Sequence, residues 1–292
     1  MGKLLVIADI EGKCSATPRG LALAAKLGLG VEVVAFTYES LGGLNVSAAE
    51  KAQVRKRLLD QRRDTVQARI DKCPGAGEAG RKVALRVVWE KDLHSWIKKQ
   101  CTPGRYLAVV KTGHRSESMV HTSLDWQLLR ECPVPVLIVA RKKWHRVRPV
   151  LATLDLASST ATKRALNRKV LDMAKQLAVG LGVELEIITA IEVPVLLADL
   201  DLVDPVTYAR EAEAAMAPQI AELAQACDIP ASAFRCKRGP VERVIASRAA
   251  KVGAQIVVMG TVGRKGVKAR LLGNTAEKVL RHLKTDVLAV KP

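Results

Sequence analysis

The sequence predicts an α/β protein built as two tandem doubly wound, mostly parallel five-stranded sheets with helices on both faces. Three observations predict it. The chain repeats itself once: Lys3-Leu4-Leu5-Val6-Ile7-Ala8-Asp9 and Pro149-Val150-Leu151-Ala152-Thr153-Leu154-Asp155 are both apolar runs that end on an aspartate and precede a helical stretch rich in Ala and Leu. The two copies also end alike, Pro133 to Val139 matching Thr285 to Val290. Between these ends, unbroken Val/Ile/Leu runs alternate with helical stretches, the pattern of parallel strands buried on both faces and joined by right-handed crossovers.

In the second half, strands are expected near 149–154, 184–190, 232–236, 255–260 and 286–290, and helices near 160–180, 207–226, 240–252 and 274–283. The domains are placed at residues 1–141 and 148–292, joined by the basic segment Arg141 to Arg148. Half of the 292 residues are hydrophobic (49%) but only 3% are aromatic, so each core must be built from Val, Leu, Ile and Ala. No apolar run approaches the roughly 18 residues of a membrane span, and Leu4 to Ala8 is too short for a signal peptide. The expectation is a soluble, cytoplasmic chain with no membrane partner.

Six scattered cysteines show neither C-x-x-C nor Cys/His pairs at zinc spacing, which points away from a disulfide framework or structural metal and toward reduced thiols. The net charge of +18 lies mostly in the first half, where residues 1–148 carry 27 Lys and Arg against 14 Asp and Glu. Such a surplus attracts anions. The basic residues nonetheless spread around helices such as Arg55 to Arg69, without interleaved aromatics, so no dedicated nucleic-acid binding is expected.

The stretch richest in chemistry is Ile256-Val257-Val258-Met259 running into Gly260-Thr261-Val262-Gly263, then nine residues, then Gly273-Asn274-Thr275-Ala276-Glu277. A buried strand ends at a glycine, a loop turns, and a helix opens on Asn274 or Thr275, so backbone N–H groups and a helix N-terminus can converge on an anion. Arg264, Lys265, Lys268 and Arg270 add cations. The alternative is a connection that uses glycine only for tight turning, which explains one glycine better than three. No G-x-x-x-x-G-K-[ST] occurs, and the Gly75-Ala76-Gly77-Glu78-Ala79-Gly80 run precedes a strand-like segment, Val83 to Trp89, where a dinucleotide fingerprint must follow one; it reads as a loop.

The G-x2-G-x9-G spacing, backed by the first-strand aspartate and the order of elements, resembles the universal stress protein family, and so does the first-half segment Lys111-Thr112-Gly113-His114 with Thr122 to Arg130. The resemblance covers essentially the whole chain, in tandem. It implies a Rossmann-like, adenine nucleotide alpha hydrolase-like fold. It also implies a stress-response protein whose C-terminal domain binds ATP or a related phosphorylated ligand, with Mg2+ only in company of the nucleotide. Carried over residue by residue, Asp155 would face the base, Thr153 and Ala190 would line its pocket, Met259 would sit at the base of the loop, and Gly260, Gly263, Gly273, Asn274 and Thr275 would take the phosphates, with Arg264 beside them. The chain departs from the family at Asn274, where binding members carry Ser or Thr; an amide can still donate to phosphate.

The first half departs further. Counted from its fourth strand, Lys111 and His114 replace the first two glycines, and Thr122 stands where Gly273 does, so that half reads as degenerate for nucleotide. The resemblance further implies an intramolecular pseudo-dimer of the two domains through their last strands, Val134 to Val139 antiparallel to Val287 to Val290, with a homodimer of the tandem chain as an extension.

No catalytic residue stands out. His114 lies in a loop at the ligand-binding edge of the first sheet but has no carboxylate or nucleophile positioned with it. Asp92-Leu93-His94-Ser95 holds triad residue types too close in sequence for triad geometry, without a G-x-S-x-G elbow. Asp199, Asp201 and Asp204 lack the glycine and terminal glutamate of a calcium loop and read as a solvated approach to a helix. The expectation is a binding protein, non-enzymatic or at most weakly ATP-hydrolysing; the alternative is an interaction or scaffold protein that binds no nucleotide.

Overall fold

A computed structural model describes residues 2–10, 14–43, 45–74, 83–102, 104–113, 123–140, 147–158, 160–261 and 274–292, the side chains of Ser123 and Asn274 excepted. The described residues up to Ala140 form one compact unit and those from Val147 onward a second. Unit 1 runs β1 (Lys3–Ala8), α1 (Ala16–Leu27), β2 (Gly30–Thr37), α2 (Ala48–Asp71), β3 (Val83–Trp89), α3 (Leu93–Gln100), β4 (Ala108–Thr112), α4 (Ser123–Glu131) and β5 (Val136–Val139). Unit 2 runs β6 (Val150–Leu154), α5 (Ala161–Leu181), β7 (Leu185–Ile191), α6 (Val195–Asp199), α7 (Pro205–Cys227), β8 (Phe234–Arg238), α8 (Val241–Val252), β9 (Ile256–Gly260), α9 (Asn274–His282) and β10 (Asp286–Val290).

Within each unit the strand order is the same, β3-β2-β1-β4-β5 in the first and β8-β7-β6-β9-β10 in the second, and the pairs are parallel. The order reverses direction between β1 and β4, and between β6 and β9. Crossovers of one hand on either side of that reversal put helices on both faces of the sheet. The burial follows: β4, β6 and β10 are buried along their whole length, whereas the edge strand β8 alternates between half-buried and exposed positions. A strand covered on both faces has no polar side to show, which is why the central strands read as continuous apolar runs.

Helix boundaries come from local chemistry. Ser47 and Glu50 close a capping box on α2, the Glu50 carboxylate accepting from the Ser47 amide at 2.8 Å, and these bonds hold the Glu50 carboxyl below its ordinary range. α1 and α5 end at Gly28 and Gly182, both left-handed with φ of 64° and 66°, a conformation glycine adopts without strain.

Two features differ from the expectation. β8 lies two residues further on than 232–236, because Ala231–Ala233 form a 3-10 turn after Pro230. The acidic stretch holds a short helix, α6, whose residues are half-buried or exposed and so carry no apolar stripe to read. Its last member, Asp204, caps α7 by accepting from the Thr207 amide at 2.7 Å.

Candidate functional site

In a doubly wound sheet the strand reversal opens a crevice at the carboxyl ends of the two diverging strands. At that place in unit 2, beyond β6 and β9, lies a cavity of about 500 Å3. Its floor is Thr153 and Leu154 from β6 and Asp155 just past it, with Met259 and Gly260 from β9; one wall is Ala190, Ile191 and Glu192 at the end of β7; the other is Thr275, Ala276 and Val279 of α9. α5 contributes Lys163, Leu166 and Asn167, and α7 contributes Tyr208, Ala212 and Met216.

The structure thus brings six of the residues singled out from the sequence, Thr153, Asp155, Ala190, Met259, Gly260 and Thr275, to one cavity. Gly263, Arg264 and Gly273 lie outside the described residues, and of Asn274 only its place as the first residue of α9 is described. That end of α9 borders the cavity through Thr275 and Ala276, so its first N–H groups and positive dipole end are disposed toward an anion there.

Sequence reasoning missed Asn167, which fixes Asp155. Its amide donates to the Asp155 carbonyl at 2.9 Å and accepts from the Asp155 N–H at 3.2 Å, closing the polypeptide just past β6 onto α5. The legible signal was an asparagine at a buried position of an otherwise apolar helix face. Replacing Asn167 by Ala is expected to lower the stability of unit 2 by about 1–3 kcal/mol, the cost of leaving the Asp155 backbone groups without partners; thermal unfolding followed by far-UV circular dichroism would measure it.

The Asp155 carboxylate takes Lys163 Nζ at 2.6 Å, but both side chains are about half exposed, which makes the pair worth about 0–1 kcal/mol and easily exchanged for a ligand group. At the opposite rim Glu192 Oε1 accepts from the Val241 amide at 3.2 Å and so covers the start of α8. Gly260 contributes space: a Cβ there would stand 2.7 Å from Leu166 Cδ2. Its backbone is not left-handed, so close approach of α5 to β9 is what requires glycine at this position.

The strand register corrects the alignment of the first half. Thr112 pairs with Val139 as Gly260 pairs with Val290, and Ile7 pairs with Lys111 as Thr153 does with Met259. Thr112, not Lys111, therefore corresponds to Gly260, and Lys111 corresponds to Met259. Counting from the fourth strand had set Lys111 against Gly260 and so shifted β4 by one place. Thr112 fills its position differently from a glycine: Oγ1 accepts the amides of Ser15 and Ala16 at 3.1 and 2.8 Å, capping the start of α1.

The same register aligns α4 with α9 and sets Asp125 opposite Ala276. Where unit 2 has Met259 and Ala276 lining its cavity, unit 1 has Lys111 and Asp125, both buried, with Nζ and Oδ1 2.5 Å apart. α2 completes the difference. Arg62 donates to the carbonyls of Ala8, Asp9 and Ile10 at 3.4, 2.7 and 3.2 Å, covering the end of β1 where Asp155 stands open in unit 2.

The remaining candidates resolve locally. His114 and the Gly75 to Gly80 run lie outside the described residues. Asp92 caps α3 by accepting from the Ser95 amide at 3.0 Å, while His94 stands 3.6 Å from Glu131, so these residues do not converge on one reacting atom. Among the described residues no group of three or more His, Cys, Asp or Glu could hold a metal ion. None of the six cysteines forms a disulfide. Among the described residues no helix is long and apolar enough to cross a membrane.

Residues 148–291 match the model of the universal stress protein family. Universal stress protein E of Salmonella typhi is 33% identical over 263 residues, a span of 88% of this chain and 82% of the relative. Among solved structures, a protein of unknown function from Pseudomonas aeruginosa PAO1 superposes with a TM-score of 0.69 at 23% identity, covering 99% of this chain and 92% of its own. A universal stress protein from Archaeoglobus fulgidus does so with a TM-score of 0.66 at 19% identity, covering 99% and 98%. The fold is shared with both structures, and the sequence match settles the kinship: this chain belongs to the universal stress protein family.

Proposed function

We propose that unit 2 binds ATP or a related phosphorylated ligand in the cavity beyond β6 and β9, and that the protein acts in the cytoplasmic stress response as a ligand-binding component, not as a catalyst. The observation that carries this reading is the convergence, at the strand reversal, of a sizeable cavity, the open Asp155 carboxylate and the start of α9. An adenine ring suits the apolar wall of Met259, Ile191 and Met216, with Asp155 as acceptor for an exocyclic amine. The polyphosphate suits the N–H groups at the start of α9 and the glycine loop that precedes it, and Mg2+ would arrive only with the nucleotide.

Binding without turnover is favoured because Asp155 is committed to the base and Glu192 to the Val241 amide, which leaves neither carboxylate of the cavity wall for proton transfer at the phosphates. Unit 1 serves a different purpose, since Lys111, Asp125, Thr112 and Arg62 occupy the positions a nucleotide would need.

Differential scanning of the full chain tests this. ATP at 100 times its Kd should add about 2.7 kcal/mol of stability. Asp155→Ala should lose most of that gain while melting normally without ligand. No shift with ATP, ADP or AMP at millimolar concentration would overturn the reading in favour of a scaffold that binds no nucleotide.

A further inference from the structure

The sheet of unit 2 ends on β8, which pairs with β7 on one side only among the described strands. Its sequence is Phe234-Arg235-Cys236-Lys237-Arg238, and Arg235, Lys237 and Arg238 are exposed. Alternation along a strand sends Arg235 and Lys237 to one face and Phe234, Cys236 and Arg238 to the other. The second face is that of α7: Cys236 lies near enough to Glu213 for the carboxylate to help push its thiol up, though burial contributes more.

A separate cavity of about 290 Å3 runs along this edge. On the α8 side it is walled by Arg235, Lys237, Ser247, Arg248 and Lys251, on the other by Glu213, Phe234 and Cys236. Arg248 is neutralised by Glu186, its Nε 2.7 Å from Oε2. Among the described residues Arg235, Lys237 and Lys251 have no carboxylate partner, so three cations share one groove beside the unpaired edge of β8.

Charges on an edge strand guard against pairing with a second copy. Two β8 edges laid together would set arginines and lysines against each other, which is destabilising. The same charges welcome a strand of opposite sign. We propose that β8 is a docking edge for an extended acidic segment of a partner protein, which adds as a further strand with its acidic side chains toward Arg235, Lys237 and Lys251 and its intervening apolar side chains toward Phe234 and Cys236. This surface is distinct from the cavity beyond β6 and β9 and does not depend on what that cavity binds.

The test is fluorescence anisotropy of a labelled peptide of about eight residues, alternating Glu and Val, titrated with the full chain. Binding is expected, weakening as salt rises. Arg235→Glu with Lys237→Glu should reduce affinity by about tenfold or more. The same peptide methylated on alternate backbone nitrogens, with unchanged charge, should not bind. Lys251→Glu, on α8 and outside the strand, should weaken binding too, and decides the matter should the double variant fail to fold. Equal binding of the methylated peptide, or indifference to Lys251→Glu, would overturn the proposal.

Discussion

Replacing Lys111 by Met will destabilise unit 1 by about 3–5 kcal/mol, the largest single effect expected in this protein, because it takes the Lys111 cation away from the fully buried Asp125 carboxylate. Lys111 is 4% exposed and Asp125 not at all, so neither group can turn to water when its partner is lost. The informative control is Lys111→Met with Asp125→Ala, which installs in unit 1 the residues that unit 2 carries at the matching positions, Met259 and Ala276. That double variant should recover most of the loss, since replacing both members of a buried pair by apolar groups removes the desolvation cost along with the attraction. All four tryptophans precede residue 147, so urea unfolding followed by tryptophan fluorescence reads the first half of the chain. If the single variant proves as stable as the parent, the ion pair is not the structural tie described.

Gly260→Val is the counterpart in unit 2. Its Cβ would meet Leu166 Cδ2 at 2.7 Å and Cγ at 2.9 Å, a separation that forces α5 or β9 to shift. Overpacking of this kind costs about 1–3 kcal/mol. Leu166→Ala in the same chain should restore stability by making room, without restoring the shape of the cavity floor, so the ATP-induced rise in Tm should stay reduced in the double variant. A neutral Gly260→Val would mean that this strand end has slack that the geometry does not show.

The fold was legible because its signals are long-range in composition but local in chemistry. Short apolar runs such as Val150 to Leu154, alternating with helical stretches, read as strands buried on both faces, and paired ends such as Asp9 and Asp155 mark the repeat. The cavity floor was legible through the family resemblance, which carried Thr153, Asp155, Met259 and Gly260 over to the strand ends where the cavity lies. Residues supplied by helices were harder to foresee. Asn167, Lys163 and Tyr208 reach the cavity from α5 and α7, and nothing in a helical pattern says which turn will overhang a strand end. The register of β4 was misread by one residue for a further reason. The end of the fourth strand was placed by its apolar run, whereas strand pairing is set by backbone hydrogen bonds, and Thr112 stands in unit 1 where unit 2 has Gly260.

The cap that Thr112 places on α1 has a kinetic side. A helix usually satisfies its first amides with a side chain a few residues away, so its end frays and closes independently of the rest. Here the Ala16 amide is held by a hydroxyl 96 positions along the chain, on the central strand β4. Hydrogen exchange at Ser15 and Ala16 should therefore report opening of β4, and not fraying of α1. In refolding, the first turn of α1 should gain protection only after β4 has joined β1, a closure of long sequence separation and hence a late one.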